Sequence, residues 1–167
     1  MPRTASDLFE GYHVKVYRYF LRTVGSHDVA QDLTQELFLR VVRHVTSCSP
    51  DREVAWMFRI ARNLVVDYRR EHPAPPLPLA EAFGARTEAT QIIAFGLSEA
   101  LRLLTDTDRE VFLLREVAGL DYQELAEACV STPQAVRLRV SRARGRLKAL
   151  LSRRLSADEN RRRNEDG

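Results

Sequence analysis

Cysteine is scarce in this chain, with two in 167 residues, Cys48 and Cys129, far apart and in no CxxC pairing. That excludes a disulfide framework and a zinc site of the usual spacing, and the expectation is two buried thiols. Glycine and proline number only seven each, which excludes fibrous and low-complexity architectures. No apolar run approaches the length that spans a bilayer, and the opening residues, MPRTASDLFEGYHVKV, contain no apolar stretch of signal-peptide length. A cytoplasmic protein is expected. Catalytic signatures are missing as well. His13, His27, His44 and His72 follow no metal-binding spacing, and there is neither a glycine-rich phosphate loop nor a GxSxG elbow. The carboxylates are accounted for by helix caps and surface faces. We therefore expect no enzyme, no catalytic residues, no metal and no cofactor.

What is present is a globular composition, 44% hydrophobic and 29% charged, enough to bury one sizeable core or two small ones. The net charge of +3 is modest, but it is unevenly spread. Between Ser131 and Ala157 lie Arg137, Arg139, Arg142, Arg144, Arg146, Lys148, Arg153 and Arg154, with no acid among them. Such a local excess is the footprint of a polyanionic partner.

Apolar residues recur at a period of 3.6 along most of the chain, and alternating strand patterns are nearly absent, so the fold class expected is all-α. The clear interruption is HPAPPLP at residues 72–78, holding four of the seven prolines, each of which forces its predecessor into extended geometry. We therefore expect two small helical domains, 1–72 and 95–155, joined by a Pro-rich extended linker over 73–94. A charge-mixed tail, 156–167, is expected to be disordered.

In the first half, Asp28 with Gln31 suits a capping box opening a helix to about Val45, buried along Val29, Leu33, Leu37, Val41 and Val45. The other side carries Asp32, Gln35, Glu36, Leu39 and Arg43. A polar face with one large apolar residue suits either a docked protein or plain solvent. The next helix, about Glu53 to Glu71, buries Val54, Met57, Phe58, Ala61, Leu64, Val65 and Tyr68. Its other face places Trp56, the only tryptophan, beside Arg52, Arg59, Asn63, Asp67 and Arg70. An indole flanked by guanidiniums can stack on unpaired bases while the arginines meet phosphates. The competing reading packs Trp56 on a neighbouring helix.

In the second half, Thr105 with Asp108 and Asp121 with Glu124 have capping spacing and bracket helices of about 107–118 and 122–129. Thr132 then caps a third helix with Pro133 at its first position. Val136, Val140, Ala143, Leu147 and Leu150 form the inward stripe of that helix. Gln134, Arg137, Leu138, Ser141, Arg142 and Gly145 face outward. A short helix, a turn and a basic second helix form a helix-turn-helix, whose second helix enters the major groove of DNA. Arginine can pair with guanine edges there.

At this point four strings resemble one family. DVAQDLTQELFLR (28–40) resembles the region 2 helix of bacterial extracytoplasmic-function (ECF) sigma factors, and AWMFRIARNLVVDYRR (55–70) resembles their promoter-melting and minus-ten-reading segment. LTDTDREVFLLREVAGLDYQELA (104–126) and VRLRVSRARGRL (136–147) resemble region 4. The resemblance implies a two-domain initiation factor without the middle domain of larger sigma factors. It implies that Asp32, Gln35, Glu36, Phe38, Leu39 and Arg40 grip core RNA polymerase at the β′ clamp, with the β subunit also a partner. Trp56, Arg59, Arg62, Asn63 and Arg70 would contact the minus-ten element, with the loop Ser47–Arg52 capturing an extruded base. Thr132, Gln134, Arg137, Leu138, Ser141 and Arg142 would read the minus-thirty-five element, and an anti-sigma factor is an implied partner. Val130 stands where the family often has glycine in the helix-turn-helix turn, so we expect a turn rebuilt around Ser131 and Pro133. The alternative function is a polymerase-independent helix-turn-helix regulator, which has no use for the Asp32, Gln35 and Glu36 face or for Trp56.

Overall fold

Seven α-helices and one short 3-10 turn make up a computed structural model that describes residues 1–73 and 88–165, with side chains over 95–164 in the second segment. No strand occurs among the described residues. The expected linker lies mostly outside them. Its last residues do not, because α4 spans Glu88–Arg102 and extends helix into the stretch expected to be linker.

The N-terminal three-helix unit begins with α1, Ala5–Val24, opened by a capping box in which Thr4 and Asp7 exchange hydrogen bonds and closed by Gly25 at φ 70°. Both signals, Thr4-x-x-Asp7 and Gly25, stand in the sequence. The helix α2, His27–His44, starts one residue before Asp28, because the Ser26 hydroxyl accepts the Val29 N–H and serves as its cap. The 3-10 turn Val45–Ser47 leads to α3, Glu53–Glu71. Leu8, Val16, Tyr19, Phe20, Leu37, Val41, Met57, Phe58 and Ala61 are fully buried between the three helices. Tyr12 and Tyr19 each meet Phe58 edge-on at 6.2 Å. Burying each large side chain contributes about 1.5–3 kcal/mol. The stripe of α2 is rotated from the expected one, since Ala30 and Phe38 are buried while Val29, Leu33 and Val45 are only half-buried.

In the second unit α5, Asp106–Glu116, is capped by Thr105 through the Asp108 N–H. Asp121 and Glu124 form the capping box of α6, Tyr122–Ala128. The Thr132 hydroxyl accepts the Ala135 N–H at the start of α7, Pro133–Glu165. The helix α7 continues through Ser156–Glu165, where a disordered tail was expected, because that stretch has strong helix formers and neither glycine nor proline to stop it. Leu101, Leu104, Val111, Leu114, Leu120, Leu125, Val136, Val140, Ala143 and Leu147 fill this second core. The two cores are continuous, with α6 packed on α3 and α5 approaching α1.

Candidate nucleic-acid interface

On α2, Asp32, Gln35 and Leu39 are exposed, and Arg40 holds Glu36 one turn away at 2.7 Å. Leu39 is 51% exposed, and Val42, which the sequence reading left out, extends the same apolar strip at i+3. Phe38 does not belong to this surface. Helical spacing turns it inward, where it is 8% exposed and meets the ring of Phe9 edge-on at 5.0 Å.

The basic face of α3 is divided. Asn63 and Arg70 are exposed, Arg70 beside Asp67 at 3.5 Å. The others turn toward α6. Arg59 Nη2 donates to the Glu127 carbonyl at 2.8 Å, and Arg52 Nε lies 3.7 Å from the Glu127 carboxylate. Arg62 donates through Nε and Nη2 to the two carboxylate oxygens of Glu110, at 2.8 and 3.0 Å, and through Nη1 to the Ala128 carbonyl at 2.8 Å. Burial works against the Arg62 charge, but the fork on Glu110 outweighs it and holds the guanidinium above its ordinary pKa. Glu110 was missed from the sequence, and no local signal could have found it, since it lies 48 residues from Arg62.

Trp56 is half-buried and lines a cleft of about 710 Å³ between the two domains. One wall is the loop after α2, with His44, Ser47, Cys48, Ser49 and Arg52, and the other comes from Glu127 and Val130–Thr132. Asp51 takes φ 65° in that loop, a conformation aspartate tolerates. Burial raises the Cys48 thiol above its usual pKa and pushes Cys129 up to about 11. Both thiols are half-buried rather than fully buried as expected, and that burial disfavours the thiolate of each.

Thr132 at the cap of α7, and Gln134, Arg137, Ser141 and Arg142 on it, are all exposed, and Leu138 is 60% exposed. The opposite stripe, Val136, Val140, Ala143 and Leu147, is buried. The helix thus presents the expected side outward, and the space around Gly145 is open. The turn before it is not rebuilt. Val130 itself takes φ 51° and is 76% exposed. Ser131 N–H reaches the Ala126 carbonyl at 2.8 Å and Val130 N–H the Glu127 carbonyl at 3.3 Å, the two bonds of a Schellman motif usually centred on glycine. The motif overrides a steric penalty of about 1–2 kcal/mol.

The basic excess of α7 is smaller in space than in sequence. Arg144 pairs with Glu116, Arg146 with Asp108 at 3.3 Å, and Arg154 with Glu99. Arg137 and Arg142 keep their charge on the outward face, Arg137 with its guanidinium carbon 4.8 Å from the Tyr122 ring centre. Arg115 lies 4.7 Å from the same ring, fixed by a bond to the Leu120 carbonyl. No helix among the described residues is long and apolar enough to cross a membrane.

Residues 8–73 match the family Sigma-70 region 2, and residues 95–147 match Sigma-70 region 4. ECF RNA polymerase sigma factor EcfG of Rhodopseudomonas palustris (strain TIE-1) is 34% identical over 133 residues, 76% of this chain and 74% of that one. ECF RNA polymerase sigma factor SigM of Bacillus subtilis (strain 168) is 28% identical over 161 residues, covering 90% of this chain and 96% of the relative. Among solved structures, CnrH in complex with the cytosolic domain of CnrY superposes with a TM-score of 0.69 at 25% identity, over 89% of this chain and 87% of that one. These matches leave the polymerase-independent regulator without support. The chain belongs to the ECF RNA polymerase sigma factors, with Sigma-70 region 2 on its first helical unit and region 4 on its second.

Proposed function

We propose that this chain works in the cytoplasm, binds core RNA polymerase through α2 and directs it to promoters read at two places, with no catalytic chemistry of its own. Asp32, Gln35, Glu36, Leu39 and Arg40 supply the polymerase contact, a polar rim around an exposed apolar strip. Trp56, Arg59, Arg62, Asn63 and Arg70 meet the minus-ten element as its strands separate, with the loop Ser47–Arg52 beside Trp56 as the place for an extruded base. Thr132, Gln134, Arg137, Leu138, Ser141 and Arg142 enter the major groove at the minus-thirty-five element. The reading rests above all on α7, whose outward residues are all exposed while the stripe behind them is buried. That CnrH is bound by the cytosolic domain of CnrY supports a second protein partner, of the anti-sigma class, for this chain.

Two weak DNA contacts on separate domains become strong together once polymerase fixes their spacing. The free chain is then a poor promoter binder and the holoenzyme a good one. The test is association with purified core polymerase. The paired change Gln35→Ala with Glu36→Ala weakens capture of polymerase at least tenfold and leaves the circular dichroism of the chain unchanged. Undiminished capture removes the α2 assignment.

A further inference from the structure

Two of the proposed minus-ten arginines, Arg59 and Arg62, already have partners in the other domain, whereas Arg70 pairs with Asp67 on its own helix. Arg62 places all three of its outward nitrogens on the second unit, two on the Glu110 carboxylate and one on the Ala128 carbonyl. Arg59 adds a bond to the Glu127 carbonyl, and Arg52 approaches the carboxylate of the same residue. The carbonyls of Glu127 and Ala128 belong to the last turn of α6; that of Glu127 already accepts the Val130 N–H and takes Arg59 as a further donor, and that of Ala128 takes Arg62. Guanidiniums of α3 complete that helix end from outside. Arg59 and Arg52 remain exposed, but the Arg62–Glu110 fork is largely withdrawn from water, its side chains being 22% and 16% exposed. It is therefore a different kind of contact from the surface pair Arg70–Asp67, at 74% and 55% exposure.

We infer that Arg59 and Arg62 form an intramolecular clasp with Glu110 and the C-terminal end of α6, holding the free chain closed with the donors of these two arginines engaged. Glu110 and the α6 carbonyls present to these arginines what single-stranded DNA would present, the first an anionic oxygen like those of phosphate and the second carbonyl oxygens like those of the bases. DNA and α6 compete for the same donors. The second effect is on the helix-turn-helix. Val130, Ser131 and Thr132, at the entry to α7, form one wall of the 710 Å³ cleft whose other wall is the minus-ten loop. A duplex whose major groove is about 12 Å wide would have to seat on α7 with the first domain lying against that entry. One opening motion thus frees the α3 donors and clears the approach to an α7 face that is itself already exposed. Polymerase binding through α2, which lies outside the clasp, can drive that opening by favouring the separated state of the domains. The clasp as a conformational lock stands on geometry alone, and only its effect on DNA rests on the minus-ten assignment proposed above.

The experiment uses the full chain with Glu110→Gln, which keeps the shape of the side chain and removes its charge, and Glu110→Arg, which opposes Arg62 with a like charge. Far-UV circular dichroism verifies that both fold. Small-angle scattering reads the domain arrangement, and fluorescence anisotropy with a labelled random-sequence single-stranded 20-mer reads the DNA-contacting side. Loss of a charge-assisted fork shifts the closed–open equilibrium by roughly tenfold or more. The expected result is a larger radius of gyration for both variants, greater for Glu110→Arg, with single-strand affinity raised several-fold. Arg62→Ala in the Glu110→Gln background then removes that gain. An unchanged radius of gyration in both variants overturns the clasp whatever happens to DNA binding. A larger radius with unchanged single-strand affinity leaves the lock standing and overturns the minus-ten role of Arg62.

Discussion

On α3, Arg59 and Arg62 are engaged by Glu110 and the end of α6, whereas on α7, Arg137 and Arg142 stand on an outward face. Both helices place arginines at helical spacing opposite a buried apolar stripe. What separates them is the neighbour each helix packs against. The second unit lies along α3 and brings acceptors to its cationic side, while α7 packs only its apolar side and leaves the other open. An arginine-rich face is therefore a capacity to bind anions, and the tertiary arrangement decides whether the anion is part of the same molecule.

The largest expected effects sharpen that contrast directly. Arg62→Ala leaves the Glu110 carboxylate mostly buried without its partner and lowers stability by about 1–3 kcal/mol in urea denaturation. Arg137→Ala changes stability by about 0.5 kcal/mol or less. For promoter affinity of the holoenzyme the prominent loss moves to α7. Arg137→Ala or Arg142→Ala costs about 1–3 kcal/mol where the side chain reads a base, measured by titrating minus-thirty-five duplexes. Equal stability losses at Arg62 and Arg137 would erase the distinction between the two faces.

A smaller effect is expected at the turn between α6 and α7. Val130→Gly relieves the left-handed strain at φ 51° and stabilises the chain by about 1 kcal/mol, after the entropy of glycine in the unfolded state is subtracted. Thermal unfolding checks it, and a lower midpoint would show that the exposed isopropyl group contributes more than its backbone costs. The smallest effect concerns Tyr122, whose ring holds Arg137 and Arg115 within 5 Å. Tyr122→Leu removes a cation–π contact worth about 0.5–1 kcal/mol and weakens base discrimination at the minus-thirty-five element, while Tyr122→Phe restores it. If neither change alters discrimination, Arg137 does not depend on that ring.

Much of this architecture was legible in the residues. The bounds of α3, the caps at Thr105, Asp121 and Thr132, and the buried stripe of α7 follow from local rules, since a cap and a 3.6-residue period need only their own neighbourhood. The outward set on α7 followed from the same periodicity. Properties that depend on distant residues did not. The pairing of Arg62 with Glu110, the compensation of Arg144, Arg146 and Arg154 by acids on α4 and α5, and the inward turn of Phe38 onto Phe9 join residues 28 to 55 apart. Ser26 capped α2 in place of Asp28, a shift of the kind that helix ends commonly show. Val130 kept the glycine-like turn because two backbone hydrogen bonds outweighed the preference of its side chain.

The central claim is that this chain directs polymerase to start sites, and transcription in vitro tests it most directly. Purified chain and core RNA polymerase are mixed with fragmented genomic DNA, and the 5′ ends of the transcripts are mapped. The account predicts discrete start sites that require the chain, share two upstream sequence elements at a fixed spacing, and disappear with the paired Gln35→Ala and Glu36→Ala change. Start sites identical with and without the chain would contradict it.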